Sequence, residues 1–315
     1  MAEYVMRRIL LAIPTILLVM FMTFMLLRLV PGDLVSIMLA ERPYSTEADK
    51  TKLEKELGLD EPIPTQFAKY MFNIARGDFG ESPWTTTPVR DELFRRLPVT
   101  LEFGLLAILF GLMISLPVGV LAAVRQDSIP DYIGRSFAIL ALSVPTFFTA
   151  TILVVFGPKM GWTPPLIYKS WSDGAGSHIY YLVVPAVLLG MTLAGSVMRM
   201  TRTMMLEVLR QDYIRTAWSK GLRERSVITR HAMKNAFIPV ITIIGLQIGI
   251  AISGTIIIET IFNMPGVGRF FVGAILQRDY PSVQGVVLVL ATVVVFVNLL
   301  IDLAYGVLDP RIRFS

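Results

Sequence analysis

The chain of 315 residues contains no cysteine. That excludes a disulfide framework, a thiolate nucleophile and thiolate metal sites together. It has only two histidines, His178 and His231, which leaves little for a zinc or haem site, so no metal site is expected. Charged residues are scarce at 17% while apolar residues reach 54%, against about 25% and about 45–50% in ordinary soluble domains. One water-soluble core cannot use such an excess. No G-x-x-x-x-G-K-[ST] loop is present, and the glycines near Lys220 follow no strand, so the chain does not itself hydrolyse ATP. Gly77-Asp78-Phe79-Gly80 has the letters of a kinase metal motif without its partner motifs. His178 and His231 suggest no nucleophile–base pair, and the apolar runs carry no paired polar residues at mid-bilayer. No catalytic residue is expected.

What the chain does have is long apolar runs. The first, Ile9 to Leu27, follows Arg7-Arg8 and holds 19 residues without a charge, enough to cross a bilayer. It is too long for the apolar region of a secretory signal and reads as an uncleaved first helix stopped at Pro31-Gly32. Further runs lie near 100–124, 137–156, 181–198, 237–262 and 283–308, each close to the roughly 20 residues a spanning helix needs. Prolines 117, 145 and 185 are expected to kink these helices rather than break them. The fold class is therefore all-α, with six transmembrane helices.

Four segments follow: 1–30 as N-terminus and first helix, 31–98 as a polar insert, 99–308 as the core of helices two to six, and 309–315 as a tail. The insert has 68 residues with 9 basic and 12 acidic side chains, a helical pattern over 47–58 and turn signals at Asp78, Gly80 and Pro83. It reads as a small folded unit. The stretch from Arg199 to Asn235 carries nine basic residues against three acidic ones, a net of +6 that exceeds the whole chain's +5. Basic residues in short loops mark the cytosolic side. With both termini inside, that side holds 15 such residues and the short outer loops hold 4. The insert is then extracytoplasmic, and the basic stretch is cytosolic, between helices four and five. Its charge reflects membrane orientation, and no nucleic-acid partner is expected.

Small residues recur at steps of four in helix two, at Gly111, Ser115 and Gly119, and in helix five, at Gly245, Gly249 and Ser253. Such stripes let backbones approach closely, and they also widen a pathway. Arg28 and Glu259 are expected near the outer face, and Asp302 near the inner face beside Arg199 and Arg202. Ionisable groups at membrane depth are usually paired, so these are structural ion pairs or gate latches. Within 206–235, Leu206, Leu209, Tyr213 and Ala217 make one apolar face of a short helix, Gly221 frees the backbone to leave it, and a second short helix precedes Pro239. Two short basic helices joined at a glycine suit either a docking knob or an amphipathic segment lying on anionic lipid.

Asp212-Tyr-Ile-Arg-Thr-Ala-Trp-Ser-Lys-Gly221-Leu222, followed by Arg230-His-Ala-Met-Lys-Asn-Ala236, resembles the cytoplasmic EAA loop of permease subunits of bacterial ABC importers, in their dipeptide/oligopeptide/nickel branch. Further motifs resemble that branch in the same order along the chain. They include Pro31-Gly32-Asp33, Gly77-Asp78-Phe79-Gly80, Glu259-Thr260-Ile261-Phe262, Pro265-Gly266-Val267-Gly268 and Leu308-Asp309-Pro310-Arg311. The long insert resembles the first permease of such pairs. The resemblance implies a type I importer permease fold in the bacterial inner membrane, and no cofactor in this subunit. It implies a second homologous permease, two ATPase subunits that bind ATP and magnesium, and an extracytoplasmic solute-binding protein. Asp212, Arg215, Ala217, Gly221 and Arg230 take the ATPase-coupling role by position. The family's Glu-Ala-Ala reads Arg215-Thr216-Ala217 here, which removes a carboxylate while keeping the glycine and its spacing. Peptides are the expected cargo, with nickel chelates, glutathione and oligosaccharides as alternatives that the same architecture carries.

Overall fold

The computed structural model describes residues 2–29, 35, 51, 54–55 and 58–308. The helical pattern over 47–58 falls largely outside the described residues, and Pro31-Gly32-Asp33 and the tail 309–315 lie wholly outside them. Helix α1 is Ala2–Leu29, α2 is Ile63–Ala75 and α3 is Val89–Val124. Next come α4, Ile129–Ser143, α5, Thr146–Phe156, and α6, Ala175–Leu209. The short α7, Asp212–Ser219, precedes α8, Glu224–Ile261. Two helices complete the order, α9, Val267–Leu276, and α10, Tyr280–Leu308. Among the described residues five helices are long and apolar enough to cross a membrane, and six spans result when α4 and α5 are counted as one bent span. The all-α reading with six spans stands on that count.

Three local expectations are corrected. Pro145 breaks its span instead of kinking it: α4 and α5 meet at 87°. Proline has no N–H to give and pushes the preceding residue to extended backbone, which Val144 adopts at φ −94° and ψ 118°. Leu206 and Leu209 belong to the end of α6, so α7 begins only at Asp212. The second short helix does not end before Pro239; a π-turn over Val227–Ala232 joins it to the span, and Pro239 lies inside.

The chain divides into two compact units. One comprises Met1–Val5, Thr100–Met264 and Phe296–Ser315, and the other Met6–Val99 and Pro265–Val295. The first has a buried cluster around Phe103, Tyr181, Leu182, Ile258 and Phe262. There α3 and α6 cross on glycine. A Cβ on Gly190 would stand 2.5 Å from the Ala107 carbonyl oxygen, and one on Gly111 would stand 2.8 Å from the Gly190 oxygen. Only hydrogen fits at either position. The second unit packs Val89 and Leu93 against Val267 and Val286, with Phe79 of the Gly77–Gly80 turn beside them. In it, Ser82 donates to Asp279 Oδ2 at 2.5 Å, and the Trp84 indole donates to the Gln277 carbonyl at 2.9 Å. Phe21, Phe24, Phe67 and Tyr70 form a ring cluster that ties α1 to α2. The Tyr70 hydroxyl is buried there, which pushes its pKa up to about 12.

Candidate coupling surface and transport pathway

At about 1.5 Å per residue, the 35 residues of α6 reach beyond a hydrocarbon layer of about 30 Å. The surplus turns that end at Leu209 carry α7. Ile214 and Ala217, three residues apart on α7, are both buried, in a cluster with Met205 of α6 and Val227, Ala232 and Ala236 of α8. The Tyr213 hydroxyl accepts from Asn235 Nδ2 at 2.9 Å. The short helix is thus bolted to two spanning helices and cannot move without them. It stops in a left-handed residue: Gly221 has φ +72°, its N–H donates to the Trp218 carbonyl at 2.8 Å, and the Leu222 N–H reaches the Ala217 carbonyl at 3.4 Å. Nothing lies within 4 Å of a Gly221 Cβ, so backbone conformation, not space, requires glycine there.

Of the five residues expected in the coupling role, the structure brings four onto one small element. Asp212 and Arg215 pair across one turn at 3.4 Å, with side chains 95% and 71% exposed. Such a pair contributes little to stability, which leaves both groups available to another surface. Ala217 faces inward and holds the helix in place, Gly221 ends it, and Arg230 is exposed on the π-turn. Trp218 and Leu222 were missed. Both are large, apolar and about 40% exposed at the tip, 44% and 40%; a tryptophan beside a helix-ending glycine in a basic segment was the available signal.

The ionisable residues near helix ends divide differently from expectation. Arg28 donates to Gln66 Oε1 through Nε at 3.1 Å and Nη2 at 2.6 Å, and stacks on the Phe24 ring at 3.4 Å. It is a fastener of α1 to α2 and, among the described residues, bonds no carboxylate. Glu259 is fully buried and accepts from the Thr100 hydroxyl at 2.7 Å, while Tyr181 donates to the Phe262 carbonyl at 3.1 Å in the same region. Among the described residues the exposed Arg199 pairs with no carboxylate; of the two neighbouring arginines, Arg202 is the one that finds an acid. Its Nε and Nη2 meet both oxygens of Asp131 at 2.6 and 2.8 Å, a two-pronged bond between α6 and α4. Asp131 also accepts from the Asp127 N–H at 3.0 Å and is fully buried. One acid, in the first turn of a helix with no other acidic side chain, was the sequence signal for it.

At the α4–α5 break, Thr146 and Thr192 share a hydroxyl bond of 2.7 Å beside a cavity of about 160 Å³. Gln247, Ile250 and Gly254 of α8 line its other side. Among the described residues the Gln247 amide makes no hydrogen bond. Gly249, one turn from Gly245, has no atom within 4 Å of a Cβ position, and Ser253 is exposed. An unsatisfied amide and bare glycine at the middle of a spanning helix are tolerated where they face a water-filled path or another subunit. Among the described residues no group of three or more His, Asp or Glu stands ready to hold a metal.

Residues 115–314 match the family of binding-protein-dependent transport system inner membrane components, and residues 1–104 match the N-terminal component of the same systems. The chain belongs to this family. It is therefore a multi-pass inner-membrane protein. It is 39% identical to the dipeptide transport system permease protein DppB of Escherichia coli (strain K12), over 99% of each chain. It is 40% identical to the di/tripeptide transport system permease protein DppB of Pseudomonas aeruginosa (strain UCBPP-PA14), again over 99% of each. Among solved structures, the inward-facing MetNI methionine ABC transporter matches at a TM-score of 0.52 and 19% identity, over 69% of this chain and 96% of that one. An amino acid ABC transporter solved with histidines matches at a TM-score of 0.53 and 13% identity. These establish the type I importer permease fold. Permeases of this family generally work with ATPase and binding-protein partners.

Proposed function

We propose that this chain is the first permease of an ATP-driven importer of di- and oligopeptides, working with a second permease, two ATPase subunits and an extracytoplasmic binding protein. The full-length likeness to two peptide permeases carries the substrate reading. ATP and magnesium belong to the ATPases, both termini are cytosolic, and the insert faces outward beneath the binding protein.

The rigid mounting of α7 supplies the mechanism. When ATP closes the ATPase pair, a groove that holds Trp218, Leu222 and Arg215 pulls on α7. Because Ile214 and Ala217 are packed against α6 and α8, the pull reaches both spanning helices as a lever. Arg215 stands where the family has a carboxylate, so the groove it enters is acidic. Gln247 and the Thr146–Thr192 pair offer the passing peptide single hydrogen bonds on an otherwise apolar wall, which guides cargo without trapping it. The reading is tested by reconstituting the chain with its partners in vesicles and measuring ATP-dependent uptake of labelled dipeptide. Uptake that requires ATP and the binding protein supports it; retained uptake without ATP overturns it.

A further inference from the structure

A second cleft, of about 300 Å³, lies between α4 and α6 near the Asp131–Arg202 bond. Its floor is Ala122, Gly134, Ala138 and Met198, its apolar wall is Ile139 and Leu142, and its rim holds Arg135, Arg199 and Arg202. No carboxylate lines it. Asp131 lies behind Arg202 and engages that guanidinium with both oxygens, while Arg135 stands 3.6 Å away with its side chain 40% exposed. Arg199 is exposed and its guanidinium makes no hydrogen bond or ion pair with any described residue, so positive charge at the mouth is left over.

The level of this cleft in the membrane is marked by its neighbours. Tyr132 is exposed beside Arg135, whose guanidinium sits 4.6 Å from the ring, in the manner of residues at a membrane–water boundary. From there Ile133, Ile139, Leu140 and Leu142 are exposed along α4, as on a face turned to hydrocarbon. Along α4 the distance from Arg135 to Leu142 is about 10 Å. A basic mouth at the headgroup level that opens into an apolar trough toward the bilayer centre has the shape and charge order of a phospholipid.

We propose that this cleft binds an anionic phospholipid, with its phosphate between Arg135 and Arg199 and one acyl chain along Ala138, Ile139 and Met198. Basic pockets between spanning helices on the cytosolic side take such anionic headgroups. The lipid would brace the Asp131–Arg202 bond at the base of the span that carries α7. The inference rests on the cytosolic placement of this end of α6 proposed above.

The test is native mass spectrometry of the complete permease–ATPase complex, delipidated in detergent and titrated with phosphatidylglycerol or phosphatidylcholine. Phosphatidylglycerol is expected to bind about thirtyfold more tightly, which is about 2 kcal/mol for two cationic side chains. Arg135→Gln combined with Arg199→Gln should bring the two lipids within about twofold. Equal binding to the unaltered complex, or a preference that survives both substitutions, overturns the proposal. Should the double variant fail to assemble, Ile139→Trp, which fills the trough and leaves the arginines, must weaken both lipids. Inorganic phosphate at millimolar concentration is expected to leave bound phosphatidylglycerol in place; full displacement would make a free anion the ligand and overturn the lipid reading. The titration is blind to sidedness. Labelling of Ser219→Cys in this cysteine-free chain reports the orientation separately, so either idea can fail alone.

Discussion

The small-residue stripes of α3 and α8 are alike in sequence and opposite in structure. On α3, Gly111 and Gly119 are shut against α6: Gly111 meets Gly190 and Leu193, and Gly119 meets Thr201 and Met198, while Ser115 is fully buried between them. On α8, Gly245 is filled by Ile301, but Gly249 faces open space and Ser253 is exposed. A stripe closes where another helix packs onto it, as α6 does with Gly190 on Gly111. Where no helix packs, as at Gly249, the same pattern leaves a wall. One stripe therefore holds this subunit together, and the other is available to a pathway or a second permease.

The comparison breaks most readily at the closed crossing. Gly190→Leu would place a side chain against backbone that cannot yield, so no folded subunit should be recovered from membranes; overpacking costs of about 1–3 kcal/mol are exceeded when the obstacle is a carbonyl. Normal yield in detergent extracts would show that the seam is loose. Next in size, Asp131→Asn leaves the Arg202 guanidinium without its charge partner at about 3 kcal/mol, near the lower end for a buried pair because Arg202 keeps some solvent contact. A fall in the thermal midpoint of the purified complex measures it, and Asp131→Asn combined with Arg202→Met should recover much of the loss. Thr100→Val removes the hydroxyl that Glu259 accepts and should cost about 1–3 kcal/mol by the same assay. On the open stripe, Gly249→Leu is expected to leave yield and midpoint unchanged and to lower dipeptide uptake several-fold. Unchanged uptake and unchanged pairing with the second permease would remove the functional reading of that stripe.

Much of this was legible beforehand, for physical reasons that can be named. Spanning runs are read easily because a bilayer forces about 20 apolar residues together, and α1, α3, α6, α8 and α10 all fall on them. The motif of α7 and its terminal glycine were legible because a left-handed stop asks for one residue type. What was not legible is tertiary. Whether Pro145 kinks or breaks a span depends on what its freed backbone can lean on, and here the hydroxyls of Thr146 and Thr192 close across the break. Arg202, not Arg199, found a carboxylate because it stands nearly one turn further along the same face of α6, within reach of Asp131. Arg28 was legible as an anchored charge, but its partner proved to be the amide of Gln66, which no charge pattern announces.

Gly221→Pro in the reconstituted complex tests most directly whether α7 transmits ATPase closure to α6 and α8 as a rigid lever. Proline is fixed near φ −65° where Gly221 has +72°, and it deletes the N–H that donates to Trp218. With partners, ATP and dipeptide present, the variant is expected to keep hydrolysing ATP while uptake falls at least about tenfold, which is about 1.4 kcal/mol of lost coupling. Uptake and hydrolysis that both stay at the unaltered level would contradict the lever.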